Sequence, residues 1–530
     1  MQTAITRLAS IALASLFLTA CGGGGGSDLG GNNPPPTGGT LTVGGTVSGL
    51  ASNTSVVLQN NGGNNLTVSA NGAFTFSTAL ASGAAYSVSV FTQPSGQTCT
   101  VASGSGTVGS AAVTNVSVLC TPQIGKFLYV PNANSNNVSA YSVNASTGAL
   151  VAVAGSPFTA DQSPALASAD PAGKFLYVIN RGSTSAPPRI STYSINGTTG
   201  TLTQNLVSPF NLDPLPPNGA ATFNKPIVHR SGQFVYVGNF DNGKLYGATA
   251  DNAGGLLSLP TMTVGVRQGF GDFDAAGKYL YLPHDNYQLI SPGAGGVAIF
   301  LLNPLSGVLT PQGEVATNAR GPLYSTLTPS GKFLLVSHLF SNTGGPGSVA
   351  VFAVDSTSGM LTPAAGSPFT TGGFTSFVVA HPTKNFVYAN SSVSTTGPSS
   401  IAAFQIDANT GVLTPITGSP FSTGGSGASF VRIDPAGKFL YVANSNSNSI
   451  QGFTIDQTSG ALTTVPGSPV TTDATPLVTL DPSGRYLYST NAGTNTITSY
   501  AINMTTGALT LANSIATGTR PVAVEIVGRQ

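Results

Sequence analysis

Apolar residues in this chain come in short bursts. Phe175-Leu176-Tyr177-Val178, Ser348-Val349-Ala350-Val351-Phe352 and Leu477–Leu480 are β-branched or aromatic runs of a few residues. Gly, Asn, Asp, Ser and Pro separate them, which is the pattern of short strands joined by tight turns. One burst recurs. Asp-Pro-Ala-Gly-Lys-Phe-Leu-Tyr-Val stands at Asp170–Val178 and again at Asp434–Val442, with looser copies elsewhere. Aligned on one position, the copies start at Gly125, Gly173, Gly232, Gly277, Gly331, Lys384, Gly437 and Gly484. The spacings run from 45 to 59 residues. A period near 50 with four strand signals per unit predicts a β-propeller.

Each unit follows one grammar. Strand A ends in Asp-Pro-x-Gly, as at Asp481-Pro482, which suits a type I turn. Strand B is the Phe-Leu-Tyr-Val run, apolar on both faces because blades stack face to face. Strand C follows, as at Ser348–Phe352, and a loop such as Asp355–Gly359 leads to strand D. Strand D ends in Gly-Ser-Pro-Phe at Gly155, Gly366 and Gly418; Pro belongs on an outermost strand, where it blocks edge pairing. The first unit lacks a strand A, and Arg520–Ile526 after the last unit supplies one. The expectation is a closed ring at 125–530 with eight blades by repeat count, seven being the alternative.

The residues before the repeats divide in three. Residues 1–20 read as a lipoprotein signal peptide: Arg7, the short apolar run Leu8–Leu18, then Leu18-Thr19-Ala20-Cys21. This resembles a bacterial lipobox, which implies lipidation of Cys21; lipid chains contribute roughly 0.8 kcal/mol per buried CH₂. Gly22 after the Cys leans toward the outer membrane, facing the periplasm or the surface. Residues 21–40 form a Gly- and Pro-rich linker. Residues 41–122 read as a small β-sandwich, similar to Ig-like modules of bacterial lipoproteins. With Cys21 set aside, Cys99 and Cys120 remain as an even pair in an oxidising compartment, and a disulfide is expected. Only 7% of residues are charged and the formal net charge is +1, which excludes a basic nucleic-acid footprint. No P-loop, zinc motif or EF-hand is present, and neither metal nor cofactor is expected.

Tyr441-Val442-Ala443-Asn444, the repeated Gly-Lys-Phe-Leu-Tyr-Val and turns such as Thr410–Pro415 resemble the YVTN-type repeats of the lactonase-like β-propeller family. The resemblance covers residues 125–530. It implies a propeller, usually of seven blades, and in some members 6-phosphogluconolactonase activity. Enzymatic members carry a His-x-His stretch, an Arg-His and an Asn-Glu after one strand B. Here no His-x-His exists, and the residue after that Asn is Ala133, Arg181, Phe240, Ser445 or Ala492. The family's catalytic set does not transfer.

The repeat register sorts the remaining candidates. His229 and His381 take the Asp position of the A–B turn and read as turn residues. Five residues after the strand B aromatic, most blades carry Asn, whereas two consecutive blades carry His284 and His338. Arg267 and Arg320 precede strand A of those same blades. Strand A starts where strand B ends, so Arg267, His284, Asp285, Arg320 and His338 are expected around one mouth of the channel, with Arg181 in a neighbouring loop. Two imidazoles and two guanidiniums suit a carboxylate or phosphate, or an ester carbonyl with His as base; inert loop caps are the alternative. The leading expectation is a membrane-anchored propeller that binds a protein or polymer ligand. The rival is a lactonase acting on a non-phosphorylated lactone.

Overall fold

β-Branched and aromatic runs punctuated by Gly and Asn form strands and nothing longer. In the computed structural model, every regular element among the described residues is a strand. The described residues are 40–529, apart from 52–53, 95–96, 123–124, 206–209, 213–220, 286–294, 342, 395–396 and 475. The signal peptide, Cys21 and nearly all of the linker lie outside them.

The small N-terminal unit is a sandwich of two four-stranded sheets. One sheet has the order Gly72–Thr75, Val43–Ser48, Val113–Pro122, Gln97–Ala102; the other Asn64–Val68, Val56–Asn60, Ala85–Thr92, Ser105–Thr107. Alternation places Val56 and Leu58, Val116 and Val118 in one core. Cys99 and Cys120 sit directly opposite on antiparallel strands and form the expected disulfide.

From Gly125 onward the described residues build eight sheets, each with strands A to D in order. One register holds in blades 2 to 8: the last residue of strand A lies opposite the second residue of the Phe-Leu-Tyr-Val run. Ala169 pairs with Leu176, Ile433 with Leu440 and Leu480 with Leu487. In blade 1 the partner of Leu128 is Ile526, so the C-terminus supplies strand A and closes the ring. The continuous pairing covers Glu525–Arg529, later than the Arg520–Ile526 read from sequence. The earlier residues still follow strand B, through a Pro521–Asn132 bridge and the Val522 amide to the Pro131 carbonyl at 3.1 Å. Pro521 has no N–H to extend the ladder.

Packing between blades explains the repeated phrase. The Tyr129 hydroxyl of blade 1 donates to the Gly200 carbonyl in the C–D turn of blade 2, at 2.8 Å. Tyr388 does the same to Gly460, and Tyr441 to Gly507. The aromatic that opens strand B lies against the α-carbon of that turn glycine. A Cβ on Gly460 would meet the Phe386 ring at 2.7 Å, and the residue is left-handed at φ +73°. Each copy of the phrase is thus one half of a joint whose other half is the glycine of the next blade's C–D turn.

The Gly-Ser-Pro-Phe segment interrupts strand D rather than ending it. Leu361–Pro363 and Phe369–Thr370 both pair with strand C of blade 5, and the Ser367 hydroxyl between them accepts the Val351 amide at 2.9 Å. Blades 4 and 8 lack this segment, and their strand D runs unbroken through Leu309–Ala316 and Leu509–Ala516.

Candidate functional site

Strand A of each blade begins at the face where strand B ends. Between blades 4 and 5 a pocket of about 320 Å³ opens on that face. Arg267, Asp285 and Arg320 line it with Phe240, Leu339 and Phe340. Arg267 sits in the left-handed region at φ +52°, a strained conformation for a non-glycine residue. Its amide donates to the Phe240 carbonyl at 2.8 Å, which holds the turn. One guanidinium nitrogen lies 3.7 Å from the Asp285 carboxylate. The other Asp285 oxygen accepts the Gly321 amide at 2.9 Å. Arg320 makes no ion pair among the described residues.

His284 and His338 do not line this pocket. Both are buried, at 1% and 0% exposure. His284 Nε2 is 3.2 Å from the Glu314 carboxylate, though not aligned as a hydrogen bond, and the Gly265 backbone covers its ring. Neither ring nitrogen of His338 has a well-formed partner. Burial holds the His338 imidazole down at about 3. The reason is strand alternation: the fifth residue after the aromatic turns into the blade, and the sixth, Asp285 or Leu339, turns to the pocket. In five of the other six blades the fifth residue is a buried Asn at the B–C hairpin, as Asn180 is, bonded to Ser191 at 2.8 Å, and in blade 6 it is Ser391. The structure therefore brings Arg267, Asp285 and Arg320 together and encloses the two histidines behind them. Arg181 stands apart, on blade 2, its guanidinium pushed down by burial and then by the nearby charge of Arg520.

His229 and His381 sit in A–B turns on the opposite face. Their Nε2 atoms lie 2.9 and 2.8 Å from the carbonyls of Gly277 and Gly437 in the next blade's turn. A groove of about 350 Å³ on that face, lined by Lys332 and Lys384, holds no acid or imidazole.

A third space lies on the ring axis. A cavity of about 200 Å³ is lined by residues in or just before strand A of all eight blades. Blades 4 to 7 present Phe270, Tyr324, Phe377 and Phe430 to it, all four residues before the A–B turn position. Their ring centroids follow one another at 6.1, 4.8 and 4.6 Å. Blades 8, 1 and 2 present Leu477, Ala523 and Leu166 at the same level, and blade 3 presents Lys225. One step deeper, Arg432 reaches the cavity from blade 7. Sequence reasoning missed this site. The signal was present, since the repeat alignment places an aromatic four residues before the turn in four consecutive blades.

The family model described as "Lactonase, 7-bladed beta-propeller" matches residues 49–212 and 417–526, together just over half of the chain. The chain belongs to that family. The match leaves out residues 213–416, which contain Arg267, Asp285, Arg320 and three of the four channel aromatics. The described residues of this lactonase-family chain form eight sheets around the axis where the family description gives seven. Solved structures of similar form include a putative 6-phosphogluconolactonase from Bacteroides fragilis, 18% identical over 77% of this chain and 98% of its own, TM-score 0.49. The periplasmic gluconolactonase of Pseudomonas aeruginosa is 16% identical over 76% and 99%, TM-score 0.49. AztD of Citrobacter koseri is 14% identical over 76% and 97%, TM-score 0.47. No curated protein matches the chain.

Proposed function

We propose that this lactonase-family propeller is a binding module held at the cell envelope, and that it takes an anionic group of a protein or polymer ligand into the rim pocket. One observation carries the reading: two guanidiniums, Arg267 and Arg320, face a pocket that no imidazole enters. General-base catalysis near neutral pH works best with a group whose pKa lies near the working pH. The pocket's acid, Asp285, is instead engaged by Arg267 and the Gly321 amide. With 7% charged residues, recognition rests on short-range contacts more than on steering. The lipobox around Cys21 is the basis for placing the module at the outer membrane, and Cys21→Ser should release it from membranes. A mutant still bound after high-salt and carbonate washes would contradict that part.

For the pocket, ligand is recovered by pull-down from envelope fractions with wild type and with Arg320→Ala. A charge-assisted hydrogen bond contributes about 1.5–3 kcal/mol, so the substitution should weaken binding roughly 10- to 100-fold. Equal recovery by both proteins would sink the pocket reading. Family membership favours one second reading, hydrolysis of a non-phosphorylated lactone. A lactone panel separates the two: turnover by the purified protein that Arg320→Ala or Asp285→Asn abolishes supports the enzyme.

A further inference from the structure

The axial cavity holds a cation with no carboxylate partner among the described residues. Arg432 and Phe430 are two residues apart on strand A of blade 7 (Ala428–Ile433) and both face the cavity. The guanidinium carbon lies 5.4 Å from the Phe430 ring centroid and 5.8 Å from that of Phe377. One guanidinium nitrogen donates to the Val431 carbonyl at 3.0 Å. No carboxylate among the described residues comes within ion-pairing distance. Arg432 is half-buried, and the partial desolvation pushes its guanidinium down from its ordinary range.

The acids at the same depth are otherwise engaged. Glu525 accepts Lys225 Nζ at 2.8 Å and the Ala169 amide at 3.0 Å. Asp272, two residues beyond Phe270, is exposed to the channel and accepts the Phe273 amide. The two walls differ in size. Four neighbouring aromatics line blades 4 to 7, and the smaller side chains of Leu477, Ala523 and Leu166 opposite leave the space free.

We propose that the axial cavity binds a small monocarboxylate with a flat apolar body. The carboxylate meets Arg432, whose planar fork suits it. The body lies against Phe377 and Tyr324, whose ring centroids are 4.8 Å apart with the planes tilted by 36°. About 200 Å³ accommodates one ring and excludes a polymer. A phosphate dianion fits less well, because one guanidinium would answer two charges beside Glu525 and Asp272. The cavity shares no lining residue with the rim pocket, so either site stands if the other fails.

The test is titration calorimetry of the full-length protein with benzoate, benzamide and inorganic phosphate. Benzoate should bind saturably at one site, benzamide at least tenfold more weakly, and excess phosphate should not displace benzoate. Arg432→Gln should weaken benzoate at least tenfold. Because that variant removes a packed side chain, Leu166→Phe gives a second arm: it fills the space opposite, leaves Arg432 in place and should also abolish binding. Arg320→Ala should leave benzoate affinity unchanged. The proposal falls if benzoate shows no saturable binding, if benzamide binds as well, if phosphate displaces benzoate, or if Arg432→Gln and Leu166→Phe both bind like wild type. Loss in Arg320→Ala with retention in Arg432→Gln would move benzoate to the rim and also overturn it.

Discussion

Deleting residues 520–530 should unfold the propeller or turn it into an aggregate. The deletion removes strand A of blade 1, whose partners on strand B run from Gly125 opposite Arg529 to Tyr129 opposite Glu525. It also removes the Arg520 carbonyl that accepts the Ala133 amide at 3.0 Å, and the Val522 amide bonded to Pro131. Each such bond contributes about 0.5–1.5 kcal/mol. Val527, 3% exposed in the core between blades 1 and 2, contributes roughly 1.5–3 kcal/mol, and the half-buried Val524 and Ile526 add to it. The total is on the order of 10 kcal/mol, comparable with the whole net stability of a domain. The loss also leaves the fully buried Leu128 and Tyr129 on an open apolar edge that invites pairing between molecules. Size-exclusion chromatography with light scattering, followed by thermal unfolding, reads both effects. The control is deletion of residues 22–39, which should leave both unchanged. A truncated protein that stays monomeric with Tm lowered by less than about 5 °C would have lost only a few kcal/mol, and ring closure by this strand would be refuted.

Two further substitutions probe the repeat. Gly460→Ala should cost more than Gly467→Ala in thermal or denaturant unfolding. Both residues are left-handed, at about 1–2 kcal/mol for a side chain there, but only the Gly460 Cβ meets an aromatic ring, while nothing lies within 4 Å of the other; equal losses would count against the inter-blade joint. His338→Asn should flatten the acid limb of stability. The folded imidazole titrates at about 3 and the unfolded one at its ordinary 6.5, so the unfolded chain binds the extra proton between those values. Stability is full above pH 6.5 and falls by up to about 1.4 kcal/mol per pH unit as pH drops toward 3. Denaturant unfolding at pH 7 and pH 4.5 should show a smaller drop for the Asn variant, and parallel curves would mean that the ring is not enclosed.

Repeat number, blade grammar, ring closure and the Cys99–Cys120 pair were legible in the chain because each rests on spacing. A phrase that recurs every fifty residues needs no coordinates to be counted, and a unit lacking its first strand announces where that strand must come from. The rim was legible to within one residue. Register put the start of strand A and the end of strand B at the same face and so drew Arg267, Asp285 and Arg320 together. It did not decide that the fifth residue after the aromatic turns inward, which enclosed His284 and His338. The usual guide to facing is polar–apolar alternation, and blades that pack on both sides erase it. Leu334 and Leu335 are adjacent and both buried, each against a different neighbouring blade. The same loss of contrast hid the axial cavity. In Phe377-Val378-Val379 and Phe430-Val431-Arg432 every residue but the last is apolar, and either face of the strand suits a core. Only the twist and closure of eight sheets turn Val378 and Val431 between blades and leave Phe377, Phe430 and Arg432 on the axis.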